Sequence, residues 1–371
     1  MSIFAWILTL SIVAGQLVRV PLGPGAITLL DLMVLTFVIF YLLKFRFKFQ
    51  KTPSYIKSAF LFIAVASLSL LLTPLQLTFQ DRAVSFSYTL RFMLIILSGW
   101  IIAQGALKKQ IFEVLKLAGV ALAILGILQV VLLPDLVFLE TLGWDPHFFR
   151  VASTFLDPNF TGAFLVLTLM LVRKNYAMFT MVYLALLLTF SRSSYGMFFI
   201  SFSALAFLLR SLRLQLLTLA LFAGLLLGFF LYSRFIELPR GINRSASASF
   251  RINTWKQGWQ LVEKHPVLGV GFNAYRYAIR EFKLADMQFL QSHGSSSNDS
   301  SLLFVLATTG ALGLLSYILF LFWLIKSRKM ILLPAVSGLL FHSLFANSLF
   351  FPSILLWLIL AVTVDKADST S

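Results

Sequence analysis

The chain has 371 residues, of which 59% are hydrophobic and only 12% charged, with a mean hydropathy of +0.91. A soluble domain carries about 25% charged residues, so a water-soluble globule is excluded. The absence of cysteine removes disulfides, thiolate catalysis and Cys-ligated metal from consideration.

The polar breaks predict an all-α integral membrane protein, a polytopic bundle of about twelve transmembrane helices, each near the length that crosses a hydrocarbon core of about 30 Å. In chain order the spans run over 2–19, 24–43, 56–73, 86–103, 111–133, 159–172, 176–190, 194–209, 214–231, 301–325, 330–346 and 348–364. The first has no basic n-region before it and no small-residue cleavage site, so it reads as a retained anchor. The sixth and seventh are short and separated only by Arg173, Lys174 and Asn175, which suits tilted helices or one re-entrant segment. Three regions follow: nine spans in 1–231, a polar segment of 69 residues over 232–300, and three spans with a short tail in 301–371. No separate soluble catalytic domain fits, and chemistry is expected at the membrane.

Lys and Arg concentrate in short cytoplasmic loops. With the N-terminus inside, the inner connectors hold fourteen of them: Lys44, Arg46, Lys48, Lys51 and Lys57, then Lys108 and Lys109, Arg173 and Lys174, Arg210 and Arg213, and Lys326, Arg328 and Lys329. The short outer connectors hold four, Arg19, Arg82, Arg150 and Arg192. Both termini are therefore expected in the cytoplasm, in a multi-pass cytoplasmic (inner) membrane protein, with 232–300 outside. The net charge of +16 is spread over many loops and forms no single stripe, so nucleic acid is not an expected partner.

The 232–300 segment is too aromatic for a disordered tether and is expected to fold. An amphipathic helix is predicted from Phe250 to Lys264, with Ser249 as N-cap and Pro266 beyond its end. Ile252, Trp255, Trp259 and Val262 repeat along it at three- and four-residue steps. Such a helix suits the membrane interface, and it equally suits one wall of a substrate groove. The segment carries nine basic against five acidic residues, an outward cationic excess against the topological bias. Guanidinium groups bind phosphate bidentately, so anionic lipid headgroups or a pyrophosphate would account for it. Arg276 and Arg280 here, and Arg150 in the 134–158 connector, are candidates for binding such a substrate.

Other outer features add chemistry. Arg192 lies in the turn Phe190-Ser191-Arg192-Ser193, where a charge beside hydrocarbon either snorkels or meets an anion. The 134–158 connector holds His147, Arg150 and Asp157 before Pro158-Asn159. A Gly/Ser-rich approach from Gln291 to Ser301 carries His293 and Asp299 into the tenth span. Within the spans, Asp31, Arg91, Glu113, Lys116 and His342 are the ionisable residues. Few of these lie deep, and no internal repeat is visible, which disfavours a proton-coupled transporter. No DxD or His-rich cluster marks a divalent-metal site, and no cofactor is expected.

Four stretches together carry a family resemblance. Arg150 with Ser153-Thr154-Phe155-Leu156-Asp157-Pro158-Asn159 looks like R…GTF-x-NPN, and Phe190-Ser191-Arg192 like an LSR turn. Arg251…Trp255 followed by His265-Pro266-Val267-Leu268-Gly269-Val270-Gly271 looks like R…W…HPLLGVG. Asn298-Asp299-Ser300-Ser301-Leu302-Leu303…Gly310-Ala311-Leu312-Gly313 looks like HN-x-x-L…G-x-x-G. In this order the chain resembles the O-antigen ligase/polymerase (Wzy-C) superfamily of membrane glycosyltransferases with a GT-C-like helical body and a large outer loop between spans 9 and 10. The resemblance implies transfer of a glycan from an undecaprenyl-pyrophosphate carrier to a hydroxyl of a glycan, lipid or protein acceptor, on the outer face and without metal. It also implies that Arg192 and Arg251 bind the pyrophosphate. The family histidine before span 10 has Asp299 in its place, with His293 six residues upstream, so either is the candidate base. A flippase or transporter of an anionic lipid-linked glycan is the alternative from another class, and a membrane scaffold a third.

Overall fold

The structure, a computed structural model, describes residues 1–22, 25–44, 52–238, 244–285, 289–290, 293–327 and 329–362. Arg46, Lys48, Lys51, Arg240, Asp286 and Arg328 of the charge pattern, Gln291 and Ser292 of the Gly/Ser-rich approach, and the tail from 363 lie outside the described residues.

Helices stand at all twelve apolar segments. In the first region they are α1 (Ile3–Ala14), α2 (Leu29–Lys44), α3 (Ser54–Leu71), α4 (Phe79–Gln104), α5 (Ile111–Leu132), α6 (Pro158–Val172), α7 (Tyr176–Thr189), α8 (Arg192–Leu208) and α9 (Leu212–Tyr232). The 232–300 segment contributes α10 (Arg244–Lys264) and α11 (Tyr275–Glu281). The last region contains α12 (Ser301–Ser327), α13 (Lys329–His342) and α14 (Pro352–Ala361). Among the described residues, five stretches are long and apolar enough to cross a membrane alone: 54–71, 79–104, 107–132, 212–237 and 301–327. The short helices have another explanation. Every residue of α6 from Thr161 to Val172 is buried, as is every residue of α14 from Ser353 to Ala361. A helix apolar on all sides and enclosed by protein has no need to match the hydrocarbon thickness. In contrast, α9 leaves Leu216, Leu227 and Phe230 exposed, as a lipid-facing helix does. The chain is a helical, multi-pass membrane protein.

The first two predicted spans require correction. Helix is expected over 2–19 and 24–43, but α1 stops at Ala14, and an antiparallel pair, β1 (Arg19–Leu22) and β2 (Gly25–Thr28), precedes α2. Gly15 adopts φ +55°, and Gln16 N–H donates to the Thr154 carbonyl at 2.8 Å. Pro21 lacks the N–H a helix needs, and the β-branched Val20, Ile27 and Thr28 favour strand. Apolar composition alone conceals this turn of conformation. The Asp31 carboxylate then accepts from the Thr28 N–H (2.8 Å) and hydroxyl (2.9 Å) at the start of α2.

The helix predicted over Phe250 to Lys264 also differs from expectation. It starts at Arg244, so Ser249 lies inside it. Its packed face is Thr254, Gly258, Leu261 and Val262, whereas Trp259 is 54% and Ile252 52% exposed. The small residues decide this: a Cβ on Gly258 would press against the side chains of Asn298 and Leu303. Close approach through small residues outweighs the larger area of Trp on the neighbouring face.

Beyond α10, the loop 265–271 docks on a break in α12. Gly310 has φ +65° inside that helix. Val270 N–H donates to the Ala307 carbonyl (3.1 Å), Gly271 N–H to Thr308 (2.9 Å), and Ala311 N–H to Pro266 (2.8 Å). The Ser69 hydroxyl of α3 lies within reach of both the Leu268 (2.6 Å) and Thr308 (2.7 Å) carbonyls. The break frees backbone groups of α12, and the loop satisfies them in a setting where water would not. A Cβ on Gly310 would overlap the Val267 carbonyl, and one on Gly269 the Thr308 backbone.

Candidate active site

Five pieces of chain supply most of the lining of a cavity of about 1110 Å³: the β1–β2 hairpin, residues 88–95 of α4, the loop 143–160, α10 with 272–299, and 345–355. None of its lining comes from the Lys/Arg-rich connectors at 104–111, 173–175, 209–213 or 325–329. Arg19, Arg91, Arg251, Lys256 and Arg276 reach it, together with Asp145, Asp157 and Asp299.

Capping places the first of these. Asp157 is the N-cap of α6, its Oδ1 accepting from Asn159 N–H at 2.6 Å and Phe160 N–H at 3.3 Å, with Pro158 at the first helical position. Ser191 caps α8 and donates through its hydroxyl to Asn159 Oδ1 (2.8 Å), locking the two helix starts together. Beneath them, buried His342 of α13 has Nε2 at 3.3 Å from both the Ser193 and Ser194 hydroxyls.

Asp299 precedes α12 and is held by its neighbours. Asn298 is buried, donates to the Thr254 carbonyl and to the Tyr275 hydroxyl (3.1 Å), and accepts from Ser300 N–H (2.9 Å). The Thr254 hydroxyl of α10 lies 3.2 Å from Asp299 Oδ2. Asp299 touches the cavity but is otherwise enclosed, and burial pushes its carboxyl up to about 6, against the pull of Arg251 and Thr254. Burial likewise raises Asp145, opposed by Arg150 and Arg251, and raises Asp157, where the Asp145 charge adds to the effect. Three carboxyls thus compete for charge around one guanidinium-rich chamber.

Of the candidate base and substrate-binding residues, Arg251, Arg276 and Asp299 share this lining; Arg150, Arg192 and Arg280 are outside it. Arg276 Nε donates to Ser295 Oγ (2.8 Å), and burial lowers its pKa. Arg150 Nε donates to the Thr189 carbonyl (2.9 Å), bracing the α7–α8 turn from behind. Arg192 is exposed, with its guanidinium 5.8 Å from the Phe229 ring on α9. Arg280 is exposed and 4.0 Å from Asp81. His293 lies in a short 3₁₀ turn (His293–Ser296), and its side chain falls outside the described residues. The intramembrane Arg91 and Asp31 form an ion pair at 2.7 Å.

Sequence reasoning missed Asp145, Lys256, Gln257 and Asn347, which also line the cavity. The Gln257 Oε1 and Asn347 Oδ1 atoms are buried without a hydrogen-bond partner. The Gly143-Trp144-Asp145-Pro146-His147 run, an acidic residue beside an aromatic just before Arg150, was the available signal; for Asn347, near the α13–α14 connection, there was none. Among the described residues, no group of three His, Asp or Glu is placed to hold a metal ion.

Residues 176–318 match the model of a family described as O-antigen ligase. The match takes in the SR turn, Arg251, the 265–271 loop, Asp299 and the Gly310 break; the Arg150–Asn159 stretch precedes it. No curated protein matches the chain.

Proposed function

We propose, from the match of residues 176–318 to a family described as O-antigen ligase, that the protein transfers a glycan from an undecaprenyl-pyrophosphate carrier to an acceptor hydroxyl, on the outer face of the cytoplasmic membrane and without metal. The observation that carries this reading is that Arg251 and Asp299 line one cavity to which the Lys/Arg-rich connectors contribute no residue.

In this reading Arg251 binds the diphosphate, with Arg276 further along the wall. Arg192, outside the lining, approaches the carrier from the exposed rim. The acceptor oxygen attacks the anomeric carbon, its proton passes to the Asp299 carboxylate, and the bond from that carbon to the diphosphate oxygen breaks, releasing undecaprenyl pyrophosphate. Charge developing on the departing oxygen is met by guanidinium groups already fixed in place, so little reorganisation is needed as it forms. A carboxyl titrating near 6 is mostly ionised at neutral pH and basic enough to take the proton. His293 is the other candidate base.

The test is reconstitution of purified protein in liposomes with an undecaprenyl-pyrophosphate oligosaccharide and candidate acceptors. New glycosidic product that disappears in Arg251→Ala supports the reading. Movement of the donor between leaflets without product would favour a flippase.

A further inference from the structure

The starts of α6 and α8 meet the end of α13 in a cluster of buried hydroxyls around one imidazole. His342 is fully buried, with Nε2 3.3 Å from both the Ser193 and Ser194 hydroxyls. Its Nδ1 is buried and has no hydrogen-bond partner among the described residues. A neutral imidazole has one N–H and one bare nitrogen. A proton on Nδ1 would leave a buried donor with nothing to receive it, a rarer defect than an unused acceptor. The proton therefore belongs on Nε2, facing the two serines. With Nε2 as donor, each hydroxyl has its own use for its single proton: Ser194 donates to the Asn159 carbonyl (3.1 Å), Ser193 to Ser191 Oγ (3.2 Å), and Ser191 to Asn159 Oδ1 (2.8 Å). The sequence of bonds ends on the amide oxygen, which leaves two N–H donors on the other side of that amide. Asn159 is half-buried and lines the cavity, and among the described residues its side chain is held only through Oδ1. Two residues before it, the Asp157 carboxyl lines the same cavity, with Oδ1 committed to the Asn159 and Phe160 N–H groups.

We infer that Asn159 binds glycan in this cavity, donating from Nδ2 to a sugar hydroxyl oxygen, and that buried His342 is the positioning residue that sets which way the amide faces. The inference rests on the transferase reading and adds to it a contact with sugar. The neighbouring carboxyl selects this ligand. A phosphate oxygen on Nδ2 would meet like charge at Asp157, whereas a hydroxyl accepts from the amide and donates to the carboxyl, the two-sided match a sugar offers. The opposite amide orientation is disfavoured by the same bonds. It would press the N–H groups on Ser191 Oγ, which already accepts from the Ser194 N–H (3.4 Å), and would reverse every donor back to His342.

Two measurements test this. The first is the nitrogen-15 NMR spectrum of the full protein in nanodiscs with labelled histidine; of its four histidines, His342 is assigned by the signals lost in His342→Gln. A protonated Nε2 and a bare Nδ1 are expected at neutral pH, and a protonated Nδ1 overturns the positioning role. The second is initial-rate kinetics with the donor and acceptor that give product with the wild type. Asn159→Leu, or Asn159→Ser should the first variant not fold, should raise the KM of the donor or of the acceptor about tenfold, the loss expected for one or two hydrogen bonds. Whichever KM rises identifies the sugar. Inhibition by undecaprenyl diphosphate, which carries the anion and no sugar, should not weaken. His342→Leu should raise the same KM but add nothing in the Asn159→Leu background, and His342→Gln, with an amide N–H in place of Nε2–H, should restore it. Unchanged KM values in the folded Asn159 variant, or inhibition by the bare carrier weakened in step with them, overturn the sugar contact. If the histidine signals are as expected but the wild type makes no glycosidic product, the positioning role stands, and the transferase reading falls together with the sugar contact.

Discussion

Arg91 and Asp31 are sixty residues apart in the chain, yet Arg91 Nε and Nη2 lie 2.7 and 2.8 Å from the two oxygens of Asp31. This two-point contact fastens α4 to the start of α2 through mostly buried side chains. Removing one partner of such a pair strands a charge, which costs about 3–5 kcal/mol. Arg91→Ala and Asp31→Ala are each expected to lower the melting temperature of the purified protein markedly. The double variant should fall by less than the sum of the two, and strict additivity would show that the pair contributes nothing.

Transfer should depend on pH through Asp299. Burial raises this carboxyl to about 6. Below that value it is protonated and no longer accepts a proton; above it the carboxylate is present. Transfer rate should therefore rise as pH increases through about 6 and level off near neutrality. Asp299→Asn should lose on the order of 10²–10⁴-fold of the rate together with that inflection. An unchanged profile in the variant would assign the base elsewhere, with His293 the next to test.

The same raised value has a sign for stability. A carboxyl that titrates higher in the folded protein than in the unfolded chain stabilises the fold while protonated and loses that contribution as pH rises through about 6. Asp299→Asn, uncharged throughout, is expected to melt no lower than the wild type at pH 8. Comparison at pH 4.5 should show the difference shrinking.

The guanidinium groups should not be equivalent. Arg251 faces the cavity, whereas Arg192 is exposed and beside Phe229. Arg251→Ala is expected to reduce transfer by at least 100-fold, the order expected for a lost charge-stabilising donor, and Arg192→Ala by less. Arg251→Lys keeps the charge but not the planar fork and should recover only part of the loss. Initial rates at varied donor concentration separate these outcomes.

At Gly310 the expected effect is structural. Both the positive φ and the contact with the Val267 carbonyl exclude a side chain. Gly310→Ala should destabilise by at least about 2 kcal/mol, read as loss of folded protein after solubilisation. Gly313→Ala, in regular helix, lacks the backbone part of that strain.

What could be read from the sequence divides along physical lines. Helical segments were legible because twenty-odd apolar residues in a row leave the backbone few options. The Arg251 and Asp299 motifs were legible too, although only tertiary structure brings α10 and the start of α12 to one cavity. The β1–β2 hairpin was hidden because hydrophobicity does not distinguish strand from helix, and the local clues were Pro21 and the β-branched Val20, Ile27 and Thr28. The packed face of α10 was not legible because Thr254 and Gly258 carry little hydrophobic signal, and their importance is in how closely they let helices approach. Asp31 and Arg91 were each visible as costly charges; their partnership was not, because sequence separation says nothing about which lone charge answers which.

The docking of loop 265–271 on α12 makes a closed triangle. Its sides are α10, the first turns of α12, and the crosslink through Thr254, Asn298 and Asp299. Arg251 and Asp299 hang from two of those sides, so their spacing is fixed by a rigid frame and does not follow the bilayer as it thickens or thins. In the transfer proposed above, the substrate would have to fit a gauge already set.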